Sequence, residues 1–238
     1  MNDEIIVPWD YSLKDERLIQ LLDLVIESYI TKWDPIWSKF LFSLEELDYA
    51  PSTLRKYLNL LEKEWFLYQP YNSAGRVPTV KAYSMYIDSI LEQETFEIEN
   101  IDFDLDFARN GMRFIVEKLW NIVDGVVAGF LRNDEYYFLG INNLLTQDMT
   151  VEWYDTVRSI VKFIEDKKII EFLNEELVKQ NKIYYTFIQE EWEKVISVIY
   201  VKINVNWFDG ILSISWPVRV DYKKNLWTLK KFLNYYKY

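Results

Sequence analysis

Apolar positions recur at helical spacing from residue 13 onward. Leu18, Leu22, Val25 and Tyr29 form one stripe, while Asp15, Glu16, Gln20, Asp23 and Glu27 mostly fall off it. Residues 13–31 are therefore predicted as an amphipathic helix. Ser12 with Asp15 has the form of a capping box at its start. Asp34-Pro35 reads as the N-cap and first position of a second helix, which buries Ile36, Phe40 and Leu41 and fades after Leu44. A third helix starts at Ala50-Pro51. Leu54, Leu58 and Leu61 line its inner face; Ser52, Lys56, Asn59 and Lys63 line the opposite one, with Arg55 at the flank. Phe66 to Gln69 and Arg76 to Val80 read as two short strands around a turn rich in Pro, Asn, Ser and Gly. A further helix carries Tyr83, Tyr86, Ile87 and Ile90.

The pattern then changes. Residues 92–106, EQETFEIENIDFDLD, hold seven acids and no base and read as an acidic linker. Their apolar residues alternate, so a peripheral strand there stays open. Residues 107–123 are predicted helical. VVAGFL and EYYFLGI read as strands joined at Arg132-Asn133-Asp134, and 151–180 reads as a charged helix. KIYYTFIQ, VISVIYVKINV and GILSISWPV are rich in β-branched and aromatic residues and read as strands, before a closing helix from about Lys223. Strands flanked by helices at both ends predict an α+β domain with an antiparallel sheet.

Composition narrows the chemistry. The chain has no cysteine and no histidine, which excludes a Ser-His-Asp triad, a Cys-His dyad and thiolate or imidazole metal sites. No enzyme activity, metal or cofactor is expected. No apolar run approaches the roughly 20 residues of a membrane span, and the acidic start MNDEIIVPWD lacks a signal-peptide layout. A cytoplasmic protein without membrane attachment is expected. The net charge is −11, yet residues 51–86 carry Arg55, Lys56, Lys63, Arg76 and Lys81 against only Glu62 and Glu64. One basic segment lies inside an acidic protein, and local charge decides polyanion binding more than the sum does.

Three helices followed by a two-stranded hairpin is the winged helix-turn-helix layout, in which the third helix enters the major groove of DNA. For the stripe on the third helix two readings stand, an ordinary solvated face or a DNA-contacting one.

STLRKYLNLLEKEWFLYQPYNSAGRVPTVKAYSMYID resembles the winged-helix region of the HrcA family, bacterial heat-inducible transcription repressors, with QPYNSAGRVPT its most distinctive string. TKWDPIWSKFL, FLGINNLLTQ and GILSISWPVRVDYKK are similar to further segments of that family, in the same order. The resemblance implies a winged-helix DNA-binding domain over 1–91, the linker over 92–106 and a GAF-like domain over 107–238. It also implies a homodimer that binds an inverted-repeat operator in double-stranded DNA and represses chaperone operons, with the chaperonin as a further partner. The chain departs from the family between Val123 and Tyr136, where one hairpin stands for a longer region, so the family's inserted dimerising domain is expected to be largely absent. Lys56 and Tyr71 replace the family's asparagine and histidine. The alternative is a shortened relative that serves protein interaction or ligand sensing without operator binding.

Candidate DNA contacts follow from chemistry and place in this layout. Arg55 and Lys56 suit guanine or phosphate. Ser52 and Thr53 stand at a helix start, where hydroxyls and free N–H groups suit phosphate oxygens. Asn59 shares the outer face. Ser38 and Lys39 lie on the helix that crosses the backbone. Asn72, Ser73 and Gly75 let the wing turn tightly, and Arg76 suits the minor groove. Each has a structural alternative: Thr53 as a helix cap, Arg76 paired with a carboxylate such as Asp88. Pro217, Arg219, Asp221 and Tyr222 read as a structural signature, with Arg219 and Asp221 tying a turn.

Tryptophan and glycine are oddly balanced, at ten and six. Trp33, Trp37, Trp65 and Trp216 fall where the resembling family has glycine. Either they are true aromatics, or they are UGA codons that the source organism reads as glycine.

Overall fold

The computed structural model describes residues 13–93, 111–132, 135–145, 151–167, 170, 178–190, 194–205 and 208–236. They fall into two compact units, within 13–93 and within 111–236.

The first unit opens on α1 (Glu16–Lys32). Its N-cap is Asp15, whose carboxylate accepts the Arg17 N–H at 3.0 Å. The capping box expected from Ser12 and Asp15 is thus replaced by Asp15 itself; Ser12 lies outside the described residues. Leu21, Leu22, Val25 and Ile26 are buried to 1% exposure or less, and each such side chain stabilises the fold by about 1.5–3 kcal/mol. Tyr29 is only half-buried.

The second helix, α2, spans Ser38–Ser43, not the stretch from Asp34-Pro35. Ile36 is buried as expected, but through a strand-like exchange with Arg76. The Ile36 N–H donates to the Arg76 carbonyl at 2.9 Å and the Arg76 N–H to the Ile36 carbonyl at 2.8 Å. Extended backbone at Ile36 is incompatible with helix, so α2 begins after it. Helix α3 (Pro51–Lys63) starts with proline at the first turn, where no N–H is needed, and buries Leu54, Leu58 and Leu61. Strands β1 (Leu67–Tyr68) and β2 (Val77–Pro78) pair antiparallel, with Leu67 opposite Pro78. They are shorter than expected because Phe66 ends the α3 turn and Val80 already belongs to α4 (Val80–Glu92), capped by the Thr79 hydroxyl. The isolated Ile36–Arg76 bridge lies next to the two-stranded β1–β2 sheet at the base of the hairpin.

Apart from Glu92 and Gln93, the acidic stretch lies outside the described residues. In the second unit α5 runs Gly111–Trp120, shorter than the predicted 107–123; residues 107–110 are not described and 121–123 form a turn. Strands β3 (Val126–Leu131) and β4 (Tyr136–Leu139) pair antiparallel, joined through Arg132; Asn133 and Asp134 are outside the described residues. A short α6 (Ile141–Leu145) was not expected, and α7 runs Val151–Glu165; residues 168–169 and 171–177 of the helix predicted over 151–180 lie outside the described residues. Strands β5 (Ile183–Glu190), β6 (Lys194–Val205) and β7 (Phe208–Pro217) precede α8 (Tyr222–Tyr236). The five strands form one antiparallel sheet in the order β4-β3-β7-β6-β5. The protein is α+β. Every residue of β7 from Gly210 to Pro217 is buried, so helices cover both faces of its centre and the hydrophobic alternation of a half-exposed strand is absent there. Helix α5 packs on β3 and β4, α7 on β6 and β7.

The segment after β7 ties α8 in place. The Asp221 carboxylate accepts the Lys224 N–H at 3.0 Å, which caps α8. The wholly buried Tyr222 hydroxyl donates to the Val218 carbonyl. Asn225, also fully buried, both accepts from the Asp124 N–H and donates to the Asp124 carbonyl.

Candidate nucleic-acid interface

Between the start of α2, the outer face of α3 and the hairpin lies a cleft of about 720 Å³. Its walls hold Ser38, Lys39, Arg55, Asn59, Ser73, Gly75 and Arg76 together with Trp37 and Gln69. Seven of the residues singled out in the sequence therefore share one concavity. Helical spacing brings Arg55 and Asn59 there, being four apart on α3. The Ile36–Arg76 bridge brings α2 and the wing to the other sides. Ser52, Thr53, Lys56 and Asn72 are not in its lining: Ser52 and Lys56 are exposed on α3, Asn72 is exposed on the hairpin turn, and Thr53 is half-buried. Thr53 does not cap α3. The N-cap is Ala50, without a side-chain bond, and Thr53 contributes its N–H to the Ala50 carbonyl.

Lys39, Arg55, Lys56 and Lys63 are exposed and form no ion pair among the described residues. Arg76 is different. Its guanidinium turns inward, with Nη2 2.9 Å from the Glu62 carboxylate and 3.0 Å from Asn59 Oδ1, and Nη1 3.5 Å from the Ala74 carbonyl. Its carboxylate partner is Glu62 on α3. It clamps the root of the hairpin to the helix. Glu45, Glu46 and Asp48 are exposed in the connection between α2 and α3.

The wing turn is held by its own groups. Gln69 Nε2 donates to the Ala74 carbonyl at 2.9 Å, and the Ala74 N–H donates to the Tyr71 carbonyl at 2.9 Å. The left-handed residue of this turn is Ser73, at φ 65°. Gly75 serves a different need: a Cβ there would sit 2.6 Å from the Pro35 carbonyl, so only glycine lets the hairpin approach the α1–α2 connection. Glu62, Gln69 and Ile36 were not singled out in the sequence. Glu62 carried a signal, as an acid three residues beyond Asn59 in an otherwise basic helix face.

In the second unit α8 carries four lysines, Lys223, Lys224, Lys230 and Lys231, of which Lys224 pairs with Asp124 at 2.8 Å. Among the described residues no cluster of acidic side chains could hold a metal ion, and no helix is long and apolar enough to cross a membrane.

The comparisons bear on this geometry. The heat-inducible transcription repressor HrcA of Thermodesulfovibrio yellowstonii is 39% identical over 109 residues, 42% of this chain and 31% of that protein. That of Lachnoclostridium phytofermentans is 25% identical over 181 residues, 74% of this chain and 52% of that protein. This chain resembles the HrcA heat-inducible transcription repressors. It is shorter than these HrcA proteins, and the matches span about half their length or less. The HrcA of Ruminiclostridium cellulolyticum gives the same picture, 32% identical over 109 residues and 31% of its length. No protein-family model matches the chain. A crystal structure described as a hypothetical protein shares the fold, with a TM-score of 0.69 over 94% of this chain and 99% of that one at 16% identity.

Proposed function

We propose that this chain is a sequence-specific DNA-binding transcriptional repressor of the HrcA type. In this reading residues 1–91 form a winged helix-turn-helix domain, α3 lies in the major groove and the β1–β2 hairpin lies beside it. The observation that carries the reading is the set of exposed cations, Lys39, Arg55 and Lys56, on the α2 and α3 surfaces beside the hairpin, which form no ion pair among the described residues. A cation held on a rigid helix without a carboxylate partner is poised for phosphate or guanine. Ser38, Ser52, Thr53, Asn59, Asn72, Ser73 and Gly75 add hydroxyl, amide and backbone donors around it. Arg76 holds the hairpin at its distance from α3 and so sets which groove edge the wing meets.

The HrcA likeness supports the finer proposal. The operator is an inverted repeat upstream of chaperone operons, bound by a homodimer, with the chaperonin as a partner that keeps the repressor active. Residues 107–238 are then a GAF-like domain after the 92–106 linker, without most of the family's inserted dimerising domain. Pro217, Arg219, Asp221 and Tyr222 serve as its structural corner. The protein acts in the cytoplasm, without a cofactor.

A second reading is a protein-interaction or ligand-sensing module without operator binding. The net charge of −11 and the neutralised Arg76 favour it. One experiment separates the two. The full chain is titrated against a duplex bearing the inverted repeat upstream of the organism's own chaperonin genes, and against a scrambled duplex, across a salt series. Repression predicts preferential binding to the repeat with a steep salt dependence. Equal or absent binding to the two duplexes removes the repressor reading.

A further inference from the structure

Two tryptophans stand where the backbone calls for glycine. Helix α3 ends in a doubly hydrogen-bonded turn. The Phe66 N–H reaches back to the Leu61 carbonyl at 2.9 Å, and the Trp65 N–H reaches the Glu62 carbonyl at 3.1 Å. Leu61 and Phe66, the two residues this arrangement brings together, are both fully buried. These are the bonds and the apolar contact of a Schellman motif, and they force the residue between them into the left-handed region. That residue is Trp65, at φ 62°. Helix α1 ends in the simpler left-handed motif: the Trp33 N–H donates to the Tyr29 carbonyl at 3.2 Å, at φ 64° and ψ 16°. Both positions are ones that glycine fills because it has no Cβ to crowd the carbonyl. Outside glycine they are taken mostly by Asn, Asp or His, and for a bulky side chain they are outliers.

Nor does the indole gain burial. Trp65 is 77% exposed and Trp33 46% exposed, although burial of a large apolar area is what tryptophan ordinarily contributes. The same deficit appears in composition. Glycine normally makes up roughly 7% of a chain, about 17 residues at this length, against six here beside ten tryptophans. The two counts together come close to an ordinary glycine content alone.

We infer that residues 33 and 65 are glycine in the protein that the source cell makes, encoded by UGA. A glycine tRNA that reads GGA needs to change only its pairing at the first codon base to read UGA, while UGG stays with tryptophan. Both residues then relax into the backbone they already occupy. Helix α3 hands over to β1 at residue 65 without strain, so the inference concerns the frame that carries the candidate interface. It stands or falls separately from DNA binding. It does not extend by geometry to every tryptophan: Trp37 has an ordinary φ of −98° as the N-cap of α2, and Trp216 is 5% exposed inside β7.

The test is peptide sequencing by tandem mass spectrometry of the protein isolated from its own organism, together with the gene's codons. Glycine at 33 and 65 over UGA codons is the expected result. Tryptophan in the native peptide, or a UGG codon, overturns the inference at that position. A recombinant chain with tryptophan at both positions supplies a second readout. Trp33→Gly and Trp65→Gly should each raise the folding equilibrium constant about five- to tenfold, whereas Trp65→Ala should fall short of Trp65→Gly. Equal stability of Trp65→Gly and Trp65→Ala would overturn the backbone argument, since alanine removes the indole but keeps the Cβ.

Discussion

Replacing Arg76 by alanine tests whether this residue braces the wing or reads DNA. Its side chain is 15% exposed and its partner Glu62 35% exposed, with 2.9 Å between nitrogen and oxygen. Two unit charges about 4 Å apart attract by about 4 kcal/mol at an effective dielectric of 20. Water reaches Glu62, and desolvation of the guanidinium opposes the gain, so the net worth lies between that of an exposed pair, about 0.2–1 kcal/mol, and the 3–5 kcal/mol lost on breaking a buried one. We expect Arg76→Ala to destabilise the fold by about 2 kcal/mol and Glu62→Gln by about 1 kcal/mol. A double-mutant cycle in urea denaturation of the full chain should give a coupling of about 1 kcal/mol. A coupling below about 0.3 kcal/mol would show that the contact carries no energy. The DNA titration adds an independent arm. A brace that touches no phosphate leaves the slope of log K against log salt unchanged when it is removed. A slope reduced by about one unit would mean that the guanidinium leaves Glu62 for the DNA backbone.

Four further outcomes are expected. Arg55→Ala should weaken binding to the specific duplex by about 1–3 kcal/mol while leaving the thermal midpoint unchanged; retained operator affinity would remove α3 as the reading element. Gly75→Ala should destabilise by more than about 1 kcal/mol, because the added Cβ meets the Pro35 carbonyl at 2.6 Å, and this is read from the urea midpoint. Tyr222→Phe removes the donor to the part-buried Val218 carbonyl and should cost about 1 kcal/mol in the same assay. Burial also pushes the Tyr222 phenol up. A raised folded value means that the unfolded chain loses this proton first, so stability is complete below pH about 10 and falls as pH rises further. Tyr222→Phe should flatten that alkaline loss, and an identical alkaline profile in both proteins would contradict it.

Much of this architecture is written locally. The stripe of Leu18, Leu22 and Val25 makes α1, and Leu54, Leu58 and Leu61 make α3. The β-branched runs make β5, β6 and β7, because periodic burial is a property of a few neighbouring residues. The left-handed ends of α1 and α3 fall at two of the four tryptophans that stand where the resembling family has glycine. The basic segment was visible too, since charge needs no fold to be counted. The tertiary structure decided the rest. Ile36 looks like a helix interior residue, yet its backbone bonds Arg76 forty residues away and delays α2 to Ser38. That choice depends on Gly75 admitting the Pro35 backbone, a contact that no local pattern encodes. Arg76 had several carboxylates within sequence reach. Glu62 became its partner because α3 places positions 59 and 62 on one flank, and the hairpin root lies against that flank. Apolar periodicity is degenerate and local, so sequence can set elements and their buried faces. An ion pair needs one nitrogen within about 4 Å of one oxygen, and only the packed chain sets that distance.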